Sequence, residues 1–458
     1  MNKKSNPKKI QIINGNIILP AAVFSGNLEI EEGRITYIGP GCRMTNPDCQ
    51  INAIGRYILP GFIDIHTNGI AGFDLTNGVY DLESGRFRND EATYIKGLEW
   101  ALYRYAKTGV TRAILTSLAA PLGQLKRIFS YVNKYKSEGA QTPWKDILGG
   151  LFVEGTFMKL VSFRGAHNPG YFKKPSVELF DDLQKMSGGM IKVVNVVPEW
   201  DQSALQLIRY LAARNVICAA GHTGATGRQY ELAIQNGLRL AVHFLNGPTG
   251  SSSKSLDGGG AVETVLRSDS MFVELIVDGY HVDKAYVLDT IKRKNYDRVI
   301  AITDSMFAAE LPGLKQFKIF NITGKVAENG EYLQIADRED ALFGSKLVMV
   351  EAFNNLLNWL TAPTGGIWNV LHEPLDFNQA LVKVSSMCSD NPARVLGIYN
   401  SQDNTGSIEI GKRADLLIGE IARVGEKYRF NINQVMVNGM TIDEFTGQGI
   451  TEPVAVLA

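Results

Sequence analysis

The sequence predicts an α/β fold in which eight parallel strands alternate with helices, as in a (β/α)8 barrel of the TIM type. Apolar, β-branched runs alternate with amphipathic helical stretches through the middle of the 458-residue chain, which is typical of repeated strand–helix units on a parallel sheet. Acidic and imidazole side chains directly follow several of these runs. Barrel active sites form where the carboxyl ends of the strands converge, so this pattern also predicts an enzyme site.

The predicted strands lie near 58–65, 110–116, 147–153, 191–197, 216–220, 239–242, 272–277 and 298–303. Helices fit between them, for example at 90–107, 201–214 and 226–236, with Gly109 and Gly237 placed to end two of them. Turn signals within 305–345 predict a loop or hairpin over the barrel mouth. Residues 346–397 are predicted to be helical, with a Pro- and Gly-containing insertion near 362–375.

The two ends of the chain resemble each other in composition. Residues 10–58 are rich in β-branched residues and are broken by Asn-Gly, Glu-Gly and Gly-Pro turns, the pattern of short strands joined by tight connections. Residues 406–443 look alike. We therefore expect a small β-sandwich-like domain built from residues 1–58 with 400–458. The barrel domain would then span residues 59–399.

Composition narrows the range of partners and compartments. The formal net charge is zero, which gives no reason to expect nucleic acid or an anionic membrane surface as a partner. No apolar stretch of the sequence is long enough to cross a bilayer. Four cysteines without CxxC spacing indicate a reducing compartment rather than a disulfide scaffold. The sequence therefore predicts a cytoplasmic protein.

Four residues at predicted strand ends form a candidate metal and proton-transfer site. Glu154, His222 and His243 follow the third, fifth and sixth runs and supply one carboxylate and two imidazoles. Three protein ligands with an open position are the arrangement of a catalytic zinc-type centre. Asp304 follows the eighth run and is placed to exchange a proton with water. Any one of these could be an ordinary buried residue or helix cap, but their shared position favours a site.

Ten short sequence motifs along the chain carry a family resemblance. Taken in order, they resemble the N-acetylglucosamine-6-phosphate deacetylases of the amidohydrolase superfamily, over about residues 50–440. The matching segments are Pro-Gly-Phe-Ile-Asp-Ile-His (60–66), Val-Glu-Gly (153–155), Arg-Gly-Ala-His-Asn-Pro (164–169), Gly-His-Thr-Gly-Ala-Thr (221–226), His-Phe-Leu-Asn (243–246), Val-Asp-Gly-Tyr-His-Val-Asp (277–283), Ile-Thr-Asp (302–304), Leu-Phe-Gly-Ser (342–345), Asn-Pro-Ala-Arg (391–394) and Gly-Lys-Arg-Ala-Asp (411–415).

The resemblance implies specific roles. It assigns Glu154, His222 and His243 to one divalent metal ion, zinc or alternatively iron or another divalent ion. Asp304 would be general base and acid, and His167 would hydrogen-bond the acetyl carbonyl. The substrate, an amino-sugar phosphate, would contact a further group of residues: Ala166, His167, Asn246, Gly247, His281, Leu342, Phe343 and Gly344.

The resemblance also implies a homodimer, because the family's phosphate-binding arginine comes from the neighbouring subunit. Ungapped counting from His243 puts Lys254 at that position. A lysine binds phosphate as a point charge and lacks the bidentate fork of arginine. The alternative is a solvated loop lysine between serines.

Several departures from the family pattern bear on the substrate and on a second metal. Glu-Gly-Thr (154–156) and His-Phe-Leu-Asn-Gly (243–247) replace the family's Glu-Gly-Pro and His-Leu-Tyr-Asn-Ala. The superfamily's His-x-His is here His66-Thr-Asn68, so His66 is the candidate ligand for a second metal. We expect a structural role for His372.

Three functions are compatible with these residues. The first is metal-dependent hydrolysis of the acetamide of N-acetylglucosamine 6-phosphate to glucosamine 6-phosphate and acetate. The second is the same chemistry on another amide, such as N-acetylgalactosamine 6-phosphate or an unphosphorylated compound. The third is a non-enzymatic sugar-sensing barrel, which the intact ligand set together with Asp304 disfavours.

Overall fold

The computed structural model describes residues 8–138, 142–246, 250–364 and 373–442. At its centre lies an eight-stranded parallel sheet whose strands follow one another in chain order. We number these parallel strands one to eight: Phe62–Thr67, Val110–Ser117, Leu148–Phe157, Ile191–Val196, Ile217–Ala220, Leu238–Ala241, Phe272–Ile276 and Val299–Ile302. The predicted α/β fold with eight parallel strands is confirmed.

A helix follows each of the parallel strands. In chain order, these helices are Glu91–Lys107, Leu122–Glu138, Val177–Met186, Gln202–Ala212, Gly227–Gln235, Ala261–Arg267, Lys284–Arg293 and Met349–Thr361, and the chain continues with Phe377–Ser385, a π-helical turn at Ser386–Asp390, and Asn391–Val395. Local sequence sets the ends of the first helix. The Asp90 side chain accepts a hydrogen bond from the Thr93 amide at its start, and Gly109, with φ of 90°, follows its end.

Strands from both chain ends join in a second eight-stranded sheet. Its members are Lys9–Ile18, Val23–Glu31, Arg34–Gly39, Cys49–Asn52, Tyr57–Pro60, Leu416–Val424, Lys427–Val437 and Met440–Thr441. The link between the ends is Tyr57–Pro60, which pairs in parallel with Lys9–Ile18 and antiparallel with Leu416–Val424. The two chain ends therefore pair within one sheet.

The predicted strand at 58–65 is wrong in its boundaries. The chain there forms two strands in different sheets, Tyr57–Pro60 and Phe62–Thr67, with Gly61 between them. Pro60 has no amide hydrogen and cannot continue a ladder as a donor. At Gly61 a Cβ atom would lie 2.2 Å from the Thr111 side chain, so the chain changes sheets where only glycine fits.

Two small antiparallel sheets lie beside the carboxyl ends of the parallel strands. One comprises Gly69–Ile70, Phe73–Asp74, Gly78–Asp81 and Arg86–Arg88, and the sequence pattern did not predict it. The other comprises Gln316–Ile319, Ile322–Val326, Leu333–Ile335 and Arg338–Leu342. We call this second one the inserted sheet. It corresponds to the hairpin predicted within 305–345.

Backbone hydrogen bonds also join the first and last parallel strands at the carboxyl end. The Asp304 amide donates to the carbonyl of His66 at 2.9 Å, and the Asn68 amide donates to the carbonyl of Ser305 at 2.8 Å. These bonds hold the residues that follow strand one against those that follow strand eight. Among the described residues, no helix is long and apolar enough to cross a membrane.

Candidate active site

Three buried histidines, each in or just after a different parallel strand, surround the carboxylate of the buried Glu154. Glu154 lies within strand three, and its Oε1 atom is 3.0 Å from His243 Nε2, 3.4 Å from His222 Nε2 and 3.7 Å from His66 Nε2. His222 and His243 follow strands five and six by two residues each, and His66 lies in strand one. The structure thus brings the predicted ligand set into one cluster.

The backbone at this cluster adopts an uncommon conformation. His222, His243 and Asp304 have φ values of 56°, 26° and 48°, in the left-handed region that residues other than glycine rarely enter. Residues in such strained conformations cluster at functional sites. They persist there because the surrounding structure holds the backbone in place. Here all three residues lie two positions after a strand and contact the cluster.

Hydrogen bonding fixes the tautomer of His222. Its Nδ1 atom lies 2.9 Å from the carbonyl oxygen of Phe163, which only accepts, so Nδ1 carries the proton. Burial lowers the pKa of His222 to about 4, so the ring is neutral near pH 7. The unprotonated Nε2 atom therefore faces Glu154 Oε1 at 3.4 Å. Two such acceptors repel each other unless a cation lies between them, so this pair fits a metal ion.

His167 has the opposite tautomer. The Ala119 amide donates to His167 Nδ1 at 3.1 Å, so in the neutral ring the proton is on Nε2. That atom lies 3.4 Å from Glu154 Oε2. By position alone, two groups could hold a metal ion: Glu154 with His66 and His243, and Glu154 with His167 and His222. His167 presents a donor to the site, so its chemistry suits a substrate oxygen better than a metal.

A second network links His66, Asn68 and Asp304. His66 Nδ1 lies 2.9 Å from Oε2 of the fully buried Glu274, and this same oxygen accepts the backbone amide of His243 at 3.0 Å. Asp304 Oδ1 accepts from Asn68 Nδ2 at 2.8 Å and lies 3.5 Å from His66 Nε2. The hydrogen bond from Asn68 to Oδ1 therefore fixes the orientation of the Asp304 carboxylate.

Opposing effects set the charge states of these groups. Burial raises the pKa of the Glu154 carboxyl, but the imidazoles of His167 and His66 outweigh it and hold this pKa well below its usual range. Burial lowers the pKa of His243, whereas its hydrogen bond to Glu154 raises it, and the net direction is upward. Burial likewise opposes protonation of His66, but the carboxylates of Glu274 and Glu154 raise its pKa. Glu154 is therefore ionised at the centre of the cluster.

The cluster opens into a cavity of about 750 Å³. Most of the predicted substrate-binding residues line it, namely Ala166, His167, Asn246, His281, Leu342, Phe343 and Gly344. Lys254 is exposed on its loop and is not among the lining residues. Gly247 and His372 lie outside the described residues.

The sequence analysis missed several lining or supporting residues. Glu274 is the single charged residue within strand seven, Phe272–Ile276, and a buried charge in an apolar strand is a signal that could have identified it. Arg164 belongs to the motif at 164–169 without an assigned role, and Arg338 lies outside every motif, yet both line the cavity. Tyr280 and Tyr332 pack together beside them with ring centroids 4.7 Å apart.

Comparison with known proteins gives a family match over most of the chain. The model of the amidohydrolase family matches residues 57–442. The N-acetylglucosamine-6-phosphate deacetylase of Vibrio furnissii is 28% identical over 385 residues, which covers 84% of this chain and 82% of that protein. The N-acetylgalactosamine-6-phosphate deacetylase of Escherichia coli O157:H7 is 28% identical over 392 residues, which covers 85% of this chain and 89% of that protein.

Solved structures show the same fold. The N-acetylglucosamine-6-phosphate deacetylase of Pasteurella multocida superposes with a TM-score of 0.76 at 23% identity, covering 94% of this chain and 99% of that one. A mutant of the Mycobacterium smegmatis N-acetyl-D-glucosamine-6-phosphate deacetylase, in complex with N-acetyl-D-glucosamine-6-phosphate, superposes with a TM-score of 0.74 at 21% identity. The match covers 96% of this chain and 100% of that one.

Proposed function

Because this chain belongs to the amidohydrolase family, we propose that it hydrolyses the acetamide of N-acetylglucosamine 6-phosphate to glucosamine 6-phosphate and acetate. The observation that carries the proposal is the pairing of two unprotonated acceptors, His222 Nε2 and Glu154 Oε1, at 3.4 Å beside an oriented Asp304. The deacetylase relatives that align over more than four-fifths of the chain supply the substrate class.

In this proposal, Glu154, His222 and His243 hold one divalent metal ion. Carboxylate and imidazole ligands suit zinc, and iron or another divalent ion is compatible with them. Such an ion polarises the amide carbonyl and acidifies a water molecule. A second ion at His66 stays a prediction.

Asp304 and His167 perform the proton transfer and carbonyl recognition in this proposal. Asp304 removes a proton from the attacking water and returns it to the nitrogen of the leaving amine. His167 donates its Nε2 hydrogen to the acetyl oxygen and stabilises the negative charge that develops there. The support is the hydrogen bond from the Ala119 amide, which keeps the proton on the His167 nitrogen that faces the cavity.

The sugar occupies the cavity of about 750 Å³, within the usual size range of small-molecule sites. Its proposed contacts are Ala166, Asn246, Gly247, His281 and the segment 342–344. Lys254 does not line the cavity of its own chain, and we propose that it contacts the phosphate from a second copy, so that the protein is a homodimer.

We further propose that the parallel sheet closes into a (β/α)8 barrel, spanning residues 59–399. The hydrogen bond from the Asp304 amide to the His66 carbonyl supports closure between strands eight and one. Residues 1–58 with 400–458 would form the small β domain, whose sandwich-like packing stays a prediction. Residues 1–7 and 443–458 lie outside the described part of it.

A panel assay tests the function. Metal-replete protein is incubated with N-acetylglucosamine 6-phosphate, its galactosamine epimer and both unphosphorylated sugars, and the released amine is quantified. The glucosamine phosphate ester should give the highest kcat/KM. Preference for the epimer or for unphosphorylated sugars would move the assignment to the second function, and no release from any compound would refute the deacetylase.

A further inference from the structure

Two arginines line the cavity without any role in metal binding or proton transfer. Arg164 follows a short 3-10 turn, Val161–Phe163, in the loop after strand three, and Arg338 begins the last strand of the inserted sheet. A guanidinium nitrogen of Arg338 approaches the carbonyl oxygen of Gly165 to 3.5 Å. The loop after strand three and the inserted sheet therefore bring two cations to one wall of the cavity.

Within the part of the chain that the structure describes, neither arginine forms an ion pair with a carboxylate. Across the ion pairs found within the described residues, none includes Arg164 or Arg338. By contrast, Arg104, Arg267 and Arg394 each pair with an acidic side chain. A guanidinium that faces a cavity without such a partner keeps its donors available for a ligand. Its planar fork matches the oxygens of a phosphate or carboxylate.

The acidic groups in the cavity are already engaged elsewhere. Glu154 lies among the site imidazoles, and Asp304 accepts from Asn68. An anion that enters the cavity therefore finds its matching charges at Arg164 and Arg338. The other cation assigned to an anion, Lys254, does not line this cavity.

We propose that Arg164 and Arg338 together bind the phosphate of the substrate, as a subsite formed within one chain. The proposal rests on the proposed function for the nature of the substrate. It adds a contribution to phosphate recognition from within one chain, beside the contact proposed for Lys254 of a second copy. Because one arginine comes from the loop after strand three and the other from the inserted sheet, the bound phosphate also bridges these two segments.

Kinetics of Arg164→Ala and Arg338→Ala test the subsite. With N-acetylglucosamine 6-phosphate, each change should raise KM by about tenfold or more with little effect on kcat, because a charge-assisted contact of this kind corresponds to about one decade or more in affinity. With unphosphorylated N-acetylglucosamine, KM should change by less than about twofold. Arg164→Lys should recover only part of the loss, since lysine lacks the fork. Arg127→Ala, at an exposed position of the helix Leu122–Glu138, is the matched control.

Direct binding separates this proposal from the proposed function. Calorimetry with glucosamine 6-phosphate and with glucosamine measures the phosphate contribution without turnover. Tighter binding of the phosphorylated amine by the unaltered chain, lost in both arginine variants with metal content retained, supports the subsite even if no deacetylation is observed. Equal effects on phosphorylated and unphosphorylated ligands, or no effect on either, would overturn it while leaving the deacetylase assignment intact.

Discussion

The protons on His222 and His167 distinguish a metal ligand from a hydrogen-bond donor. Both rings lie against Glu154, and their Nε2 atoms are each 3.4 Å from one of its oxygens. Distance therefore does not separate their roles. The hydrogen-bond partner of Nδ1 separates them. His222 Nδ1 donates to the carbonyl of Phe163, whereas His167 Nδ1 accepts from the amide of Ala119.

This difference predicts contrasting variants. His222→Ala should lose bound metal and activity together, because one of three protein ligands is removed. His167→Ala should keep its metal while kcat falls by roughly 10²-fold or more, as expected when a donor to a developing oxyanion is lost. Metal analysis of purified variants alongside turnover provides the measurement. Metal loss in His167→Ala with retention in His222→Ala would reverse the assignment.

Asp304→Asn isolates the proton-transfer step. The amide oxygen of asparagine can still accept the hydrogen bond from Asn68, so we expect the fold and the metal content to persist. Turnover should fall by roughly 10²-fold or more, because an amide cannot take the proton from water. The assay is kcat in metal-replete protein. Near-normal kcat would rule out Asp304 as the base.

At the residue scale, the sequence predicted which chemical groups would meet but not their hydrogen-bond partners. Glu154, His222, His243 and Asp304 were recognisable because each follows or ends an apolar run. Tautomers depend on Phe163 and Ala119, which contribute only backbone atoms that sequence patterns do not report. Likewise, Arg338 reaches the cavity only through the path of the inserted sheet.

At the scale of elements, the loop after strand three supports His222 through a glycine. Gly165 has φ of 54°, and a Cβ atom there would lie 2.6 Å from His222 Cε1. The loop can therefore pass this close to the imidazole only without a side chain.

Gly165→Ala should consequently displace the His222 ring and weaken metal binding. We expect the metal dissociation constant to rise by about tenfold or more, comparable to loss of an outer contact to a ligand. Competition with a chelating dye measures it. Gly123→Ala is the matched control, because nothing lies within 4 Å of a Cβ atom at that position. Unchanged metal affinity in Gly165→Ala would show that the loop yields without affecting His222.

Element boundaries were predictable where local signals were strong. They were less predictable where the chain passes from one sheet to another. Gly109 and Gly237 follow the helices that they were predicted to end, Glu91–Lys107 and Gly227–Gln235. The run at 58–65 looked continuous, yet long-range pairing divides it between two sheets. The small sheet at 69–88 has strands of two to four residues, too short for an alternating pattern.

At the scale of the whole molecule, a buried carboxyl links stability to pH. Burial raises the pKa of Asp74 to about 7, although the Asn77 and Thr76 amides donate to it. In an unfolded chain an aspartate has a pKa of about 3.9. The folded state therefore retains a proton that the unfolded state releases. This contribution to stability is complete below pH of about 4 and is lost as pH rises through about 7.

Asp74→Asn removes that pH dependence. The free energy of unfolding of the variant minus that of the unaltered chain should increase between pH 4 and 7 by at least about 1 kcal/mol, since one pKa unit corresponds to about 1.4 kcal/mol. Denaturant titrations across this range give the difference. Only its slope is diagnostic, because the buried amide adds a constant cost. A difference that does not vary with pH would contradict the raised pKa.

The proposed homodimer makes its own prediction about Lys254. If a second copy brings this exposed lysine to the phosphate, Lys254→Ala should raise KM for the phosphorylated substrate by roughly tenfold, with no effect on the unphosphorylated sugar. Sedimentation should show a dimer at assay concentrations. An unchanged KM would show that Lys254 is a solvated loop residue. Phosphate recognition would then depend on residues of a single chain.

The central claim is metal-dependent hydrolysis of a sugar acetamide at the Glu154 cluster. Its most direct test quantifies acetate and glucosamine 6-phosphate released from N-acetylglucosamine 6-phosphate before chelation, after chelation and after restoring zinc. The two products should appear in equal amounts, stop when the metal is removed and resume when it returns. Turnover that persists in metal-free protein, or no acetate from metal-replete protein, would contradict the claim.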